Sequence, residues 1–322
     1  MEVIRYTEDF RKDWEEFIAT TINGNFLHTR AFYDHNEQNA KDDFSLIFFK
    51  KNKIVAVLPS IILVKEGKKI INSHARSTYG GFIISKSIGV KDALDIVNLT
   101  LDIAKKELAD EIIIRNPFKI FYNTISEETD YAMWYRGFEI KFRELETYID
   151  LRPSIEVIKK QYDKGTKYNI VKAWKHVQVE ETEDFEGYWK ILASNLYEKY
   201  KKEPTHSIEN ILKLRNNVGK DNIRLFGAYH ENVLVAGCVI FVLNNSLHAQ
   251  YIAQNNNYQE FRPINAIIDY IIDWGKNKNF DYFNLGTANE DEGKFINEGL
   301  FHFKESFGGR GVLRETVYKK LH

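Results

Sequence analysis

The sequence predicts an α/β (α+β) fold of two related halves, each a mixed β-sheet flanked by helices, with a cleft between them. Three observations carry this. The chain has 322 residues, beyond the roughly 250–300 at which single hydrophobic cores stop growing. Runs rich in β-branched residues alternate with helical stripes along its length. The order hairpin, strand, helix, strand occurs twice, on either side of a polar stretch that starts near Leu151. The halves are therefore 1–151 and 152–322, and the strand expected over 312–318 is a candidate to cross back and complete the first.

Each element follows from its own pattern. Phe10, Trp14, Phe17 and Ile18 fall at helical spacing behind a Thr7 cap, with Glu8 and Asp9 at the positive end of the helix dipole. Phe44 to Phe49, a Lys51-Asn52-Lys53 turn and Ile54 to Val64 read as a hairpin. A strand near Tyr79 to Ile84 precedes a helix striped with Val90, Leu94, Val97, Leu101, Ala104 and Leu108, which feeds the strand Glu111 to Ile114. Pro153 opens a polar helical stretch through Lys175, and Phe185, Tyr188, Trp189, Leu192 and Leu196 mark the next helix. The first order then returns as Ile223 to Tyr229, a His230-Glu231-Asn232 turn, Val233 to Leu243, Leu247 to Ala253, a helix with Ile264, Ile267, Ile268, Ile271 and Ile272, and the strand Phe280 to Leu285.

Bulk composition excludes several function classes. Lys plus Arg is 45 against 46 for Asp plus Glu, so no global field draws the chain to DNA or to a membrane surface, and an anionic partner must be held by a local patch. The N-terminal residues lack the basic start and apolar stretch of a secretory signal. The apolar run Ile54 to Val64 is interrupted by Pro59 and Ser60 and falls short of the roughly 20 residues that span a bilayer. A cytoplasmic location without a membrane span is expected. The single cysteine, Cys238, sits among β-branched residues and reads as core filler.

Ligands of open α/β sheets collect beyond the carboxyl ends of parallel strands. That rule singles out Arg115 and Asn116 after Ile114, and Thr287, Asn289, Glu290 and Asp291 in the loop after Leu285. Gly, Asn and Asp also make ordinary turns, so each residue alone has a bland reading. Further on, His302 to Gly311 places Lys304 beside Phe303 and then sets Arg310 among three glycines, where backbone could approach a ligand or simply lead into the last strand. Ser77 to Phe82, flanked by His74 and Arg76 and containing Tyr79, raises the same alternatives in the first half. Alternation along Leu247 to Ala253 places His248 and Gln250 on one face, with Tyr251 on the other. Lys160, Lys164, Lys167 and Lys175 share roughly one helical face, suited to phosphate or simply to solvent.

The phrase Phe280 to Thr287, followed by Phe303 to Gly309, resembles the closing region of FemAB-like acyltransferases, a tandem GNAT family. The stretch Tyr162 to Val179 is similar to that family's interdomain pattern. The resemblance covers the whole chain, more specifically after Ile223 than before Leu151. It implies transfer of an acyl or aminoacyl group from aminoacyl-tRNA or an acyl thioester to an amine on a small-molecule, cell-envelope or glycan-precursor acceptor, by direct attack. It implies a donor contact for Lys304 and a general base in His248, whose unperturbed pKa near 6.5 suits the task, with Glu290 and Asp291 as reserve acids. Arg76, Tyr79, Arg115, Asn116, Gln250, Tyr251, Thr287, Asn289 and Arg310 are the binding candidates. No metal and no tightly bound cofactor is expected.

One departure bears on acyl-CoA. The loop Gln254 to Pro263, where GNAT domains hold a pyrophosphate, contains no glycine and carries Glu260, while Pro263 removes a donor. Arg262 retains some phosphate affinity. Two rivals stand beside the transfer from aminoacyl-tRNA: an acyl-CoA-dependent N-acyltransferase of nucleotide amino sugars, and a non-catalytic binding protein on the same fold.

Overall fold

The computed structural model describes residues 1–74 and 76–321 of the chain. It divides into two compact units, Met1–Glu144 with Leu313–His322, and Leu145–Val312.

The first unit opens with β1 (Glu2–Arg5), a short 3-10 turn and α1 (Arg11–Thr20). Thr7 stands at the turn's N-cap without a side-chain bond, so the acidic pair Glu8 and Asp9 precedes the α-helix instead of starting it. After α2 (Arg30–Tyr33) and α3 (Glu37–Asp42) come β2 (Leu46–Lys50), β3 (Lys53–Leu58), β4 (Ile61–Lys65), β5 (Lys68–Ser73) and β6 (Ile83–Ile84). The expected single strand Ile54 to Val64 is thus two strands. Pro59 cannot donate to a ladder, and Ser60 turns the chain, its hydroxyl donating 2.7 Å to the Phe44 carbonyl. β3 stays paired with β2 and β6, while β4 pairs with β5. Of the strand expected near Tyr79 to Ile84, only Ile83 and Ile84 are extended in a ladder. α4 (Val90–Lys106) then buries Ala93, Ile96, Val97, Leu101 and Ala104 in the unit's core and leads to β7 (Glu111–Arg115), α5 (Glu128–Tyr135) and β8 (Glu139–Asp150).

In the second unit the polar stretch after Pro153 is two helices, α6 (Ile155–Lys160) and α7 (Lys164–Ala173), broken at Asp163, whose carboxylate caps α7 through the Thr166 N–H. β9 (Gln178–Thr182), α8 (Phe185–Tyr200) and α9 (Ile208–Val218) precede a meander of β10 (Ile223–His230), β11 (Val233–Leu243) and β12 (Ser246–Gln254). Then come α10 (Pro263–Asn277), β13 (Tyr282–Thr287), the two-residue strands β14 (Asn289–Glu290) and β15 (Phe295–Ile296), α11 (Glu298–Glu305) and β16 (Arg310–Lys320). Within this unit β8, β13, β12, β11, β10 and β9 lie in that order, and the isoleucines of α10 fill the core against them. Residues Thr316 to Lys320 of β16 pair antiparallel with β7 in the first unit's sheet. The division between units falls inside β8 and inside β16.

Candidate functional site

The second unit contains a wedge where two parallel strands part. β12 and β13 are in register only at Ser246 with Tyr282, Leu247 with Phe283 and His248 with Asn284. Both strands continue past that point, β12 to Gln254 and β13 to Thr287. Each is irregular where they separate. The register of β11 against β12 slips between Val239 and Ile240, so Gln250 has no partner in β11 and none in β13. A bulge of this kind bends a strand and re-aims its side chains. β13 slips against β8 between Asn284 and Thr287, and Gly286 takes a left-handed φ of 77° that a residue without Cβ adopts at no cost.

The space so opened is a pocket of about 340 Å³. Apolar walls come from Leu196 on α8, Ile252 on β12, Ile264 and Ile268 on α10, and Leu300 and Phe303 on α11. Lys199, Gln254, Gln259 and Arg262 also line it, and Asn195 joins it to an adjoining pocket of about 360 Å³ beside Asn255 to Asn257. An apolar chamber with a few polar groups is the usual form of a small-ligand site.

Lys304 also lines this pocket. It is buried, and its ammonium donates to the carbonyls of Gly286 at 2.8 Å and Thr287 at 2.7 Å. Those carbonyls belong to the parted end of β13, so the lysine satisfies acceptors that the missing strand partner does not. Burial pulls its pKa from the ordinary 10.5 down to about 8, partly opposed by the carboxylate of Glu146. Glu146 is itself buried and accepts from Asn284 Nδ2 at 2.6 Å. Gly309 lets the chain pass closely here, since a Cβ would come within 2.6 Å of the Lys304 carbonyl oxygen.

The other sequence candidates divide by unit. His248 is buried on β12 at the last position still paired with β13. The bulge at Gln250 breaks the strict alternation, so the expected shared face of His248 and Gln250 does not hold by simple counting. The Tyr251 ring packs edge-on to Trp189, and burial raises its hydroxyl pKa to about 12. Thr287 Oγ1 donates to the Leu145 carbonyl at 3.1 Å, and Asn289 Oδ1 accepts the Leu145 N–H at 2.7 Å, so both fasten the turn after β13. Glu290, in the β14–β15 hairpin, and Arg310 are exposed and do not line the pocket. In the first unit Arg76 bonds Asn39 and Asp42, Tyr79 is fully buried beside Phe118 and Phe121, Arg115 lies over the Phe142 ring, and Asn116 donates to Asp130 at 3.0 Å. The apolar pocket lining escaped sequence reading because Ile252, Ile264 and Ile268 carry the same periodic signal as core residues. Glu146 had no signal at all.

The fold is shared with solved FemX and tandem GNAT structures, in line with the resemblance of the closing region. The chain superposes on the crystal structure of FemX with a TM-score of 0.71 at 13% identity, over 99% of this chain and 97% of that one. L-PGS from Bacillus licheniformis gives 0.63 at 15%, covering 96% and 91%. A tandem GNAT protein from the clavulanic acid biosynthesis pathway gives 0.51 at 8%, covering 100% and 98%. No family model matches the sequence, and no curated protein matches it.

Proposed function

We propose that this chain transfers an acyl or aminoacyl group from an activated ester to an amine, with the donor's acyl end in the wedge between β12 and β13. The carrying observation is the apolar pocket with the Lys304 ammonium in its wall. In the reaction the amine nitrogen attacks the carbonyl carbon, a C–N bond forms, and the C–O or C–S bond to the leaving group breaks. Lys304, with a pKa near 8, is matched to giving its proton to the departing oxygen or sulfur near neutral pH, and a buried cation steadies the oxyanion on the way. His248, beside the apex of the wedge, is our candidate to take the proton released by the attacking ammonium.

The start of α10 supports aminoacyl-tRNA over acyl-CoA as donor. Arg262 occupies the cap with a left-handed φ of 56°, Pro263 at the first position has no N–H, and the Asn265 N–H already bonds the Arg262 carbonyl at 3.0 Å. Few free donors remain there for a pyrophosphate. The acceptor, on this reading, is an amine on a cell-envelope or surface-glycan precursor handled in the cytoplasm.

The test is transfer of a labelled group from aminoacyl-tRNA or acyl-CoA to a panel of amino-sugar nucleotides and amine-bearing peptides. Ile268→Trp, which fills the pocket, should abolish transfer from whichever donor works while circular dichroism stays unchanged. Full activity in Ile268→Trp, or no transfer from either donor, overturns the proposal.

A further inference from the structure

α7 carries an exposed stripe that the chemistry above leaves unused. Lys164, Lys167 with Tyr168, Val171, and Trp174 with Lys175 recur once per helical turn, each three or four residues after the last group, which sets them on one face of the helix and its continuation. Tyr168 is 70%, Val171 59% and Trp174 41% exposed, and side by side they make a continuous patch rather than scattered exposed residues. Lys164, Lys167 and Lys175 are exposed and form no ion pair among the described residues, and Lys167 also donates to the Lys160 carbonyl at 3.2 Å. Glu156 lies one turn before Lys160 and attracts it, whereas two further acids beside α7 are committed elsewhere. Asp163 caps α7, and Asp269 on α10 accepts from Lys159 at 3.0 Å, Tyr162 at 3.2 Å and Trp174 Nε1 at 3.1 Å.

That second carboxylate does more than hold the helices. It fixes one edge of the Trp174 indole while leaving the ring partly in solvent, so the aromatic surface is presented in a set orientation. Beyond Trp174 a pocket of about 210 Å³ opens, lined by Lys175, His176, Gln178, Tyr229, Glu231 and Asn232 as well as the indole. It offers the amides of Gln178 and Asn232 and the Glu231 carboxylate, an acceptor for a base's amino group, at the end of a basic, aromatic track, while the Tyr229 hydroxyl donates to Thr182 and the His176 ring stacks on Phe261.

We infer that this face of α7, with the pocket at its end, docks RNA: lysines on the phosphates, Tyr168 and Trp174 stacking on unpaired bases, and the pocket receiving a splayed base. Interleaved cations and flat rings are what single-stranded nucleic acid requires. A membrane surface fits less well, because insertion needs a continuous apolar face and here lysines flank the apolar residues at both ends. The inference deepens the aminoacyl-tRNA reading and rests on it. It also has a structural link to the wedge: Ile268 lines the donor pocket and Asp269, the next residue, anchors Trp174. RNA held on α7 and an ester held in the wedge are thus mounted on one helix.

The probe is a fluorescein-labelled RNA hairpin with a single-stranded 3′ end, titrated with the full chain at several salt concentrations. Binding should weaken with salt at a log–log slope of about −2 to −3, from three or four lysine–phosphate contacts at roughly 0.7 each. Lys164→Glu with Lys167→Glu should flatten that slope, and Trp174→Ala should lower affinity at least about fivefold at every salt, the loss of one stacked base. Trp174→Phe, which keeps a ring, should restore most of it and guards against a folding defect. Absent RNA binding at low salt, binding indifferent to these variants, or capture by anionic phosphatidylglycerol vesicles in place of RNA overturns the inference. Transfer from acyl-CoA by a wild-type chain that binds no RNA at low salt would show the transferase standing while the RNA face falls. Loss of transfer from every donor in wild type would instead remove the underlying reading.

Discussion

Each unit joins a parallel strand pair through a helix, β5 to β7 by α4 and β12 to β13 by α10, and the two junctions are treated in opposite ways. In the first, parallel β5 and β7 stay in register from Ile70 with Glu111 to Ser73 with Ile114, the last residue of β5. The chain beyond is packed with the rings of Tyr79, Phe118 and Phe121. In the second, parallel β12 and β13 pair at three positions and then part around a pocket. A zipped junction filled with aromatic rings is a core, whereas a splayed one leaves carbonyls to be satisfied and space to be occupied. Of these two junctions, among the described residues, the one in the second unit opens into the chamber.

The strongest way to break this contrast is Tyr79→Ala. If the first junction is packing, removing a fully buried ring costs about 3–5 kcal/mol, read from urea midpoints, and Tyr79→Phe costs far less. A stable Tyr79→Ala protein with impaired acceptor binding would instead make Tyr79 a ligand contact.

Next in size is Lys304→Met, which should lower kcat on the order of a hundredfold or more. Lys304→Arg, which keeps the charge, should retain more. The wild-type rate should fall as pH rises through about 8, because the deprotonated amine has no proton to give. Stability runs the other way. A folded-state pKa below the ordinary 10.5 means that the unfolded chain binds the extra proton between about 8 and 10.5, so the lysine's contribution is full above that window and is lost as pH falls through about 8. Thermal midpoints of wild type and Lys304→Met measured at pH 7 and pH 10 should diverge in that direction. A rate profile flat through pH 8 would remove Lys304 from the chemistry and leave it as a clasp on β13.

The smallest expected effect is that of Glu290→Gln. The side chain is exposed on a two-residue hairpin strand, so stability should change by no more than about 0.5 kcal/mol and transfer should not change. A clear loss of rate would extend the site past the pocket as drawn.

Long periodic segments were legible in the sequence. α4, α10 and the meander β10 to β12 show a sustained helical or β-branched pattern and stand close to where that pattern places them. β5, α5, β8 and α9 escaped because they mix charge and apolar residues: Glu139 to Arg143 in β8, for example, is largely exposed and reads as polar loop. The run Ile54 to Val64 misled because periodicity cannot show that a Pro-Ser step sends two halves of one apolar run into different ladders. At the site, Lys304 was visible through its neighbours in sequence, but its carbonyl partners lie 17 and 18 positions earlier and depend on a strand having lost its companion. The bulge at Gln250 has no local signature either, since the slip is a relation between two strands.

The placement of β16 also sets an order of events during synthesis. The second unit consists of consecutive residues, Leu145 to Val312, whereas the first needs Leu313 to His322 as well as its own opening segment. A chain made from its N-terminus can therefore close the second unit's contacts while β7 still lacks the strand that pairs with it. The half that is translated first is the half that must wait, with Ile112 and Ile114 of β7 exposed along one edge to any chaperone or stray strand until residues 316–320 leave the ribosome.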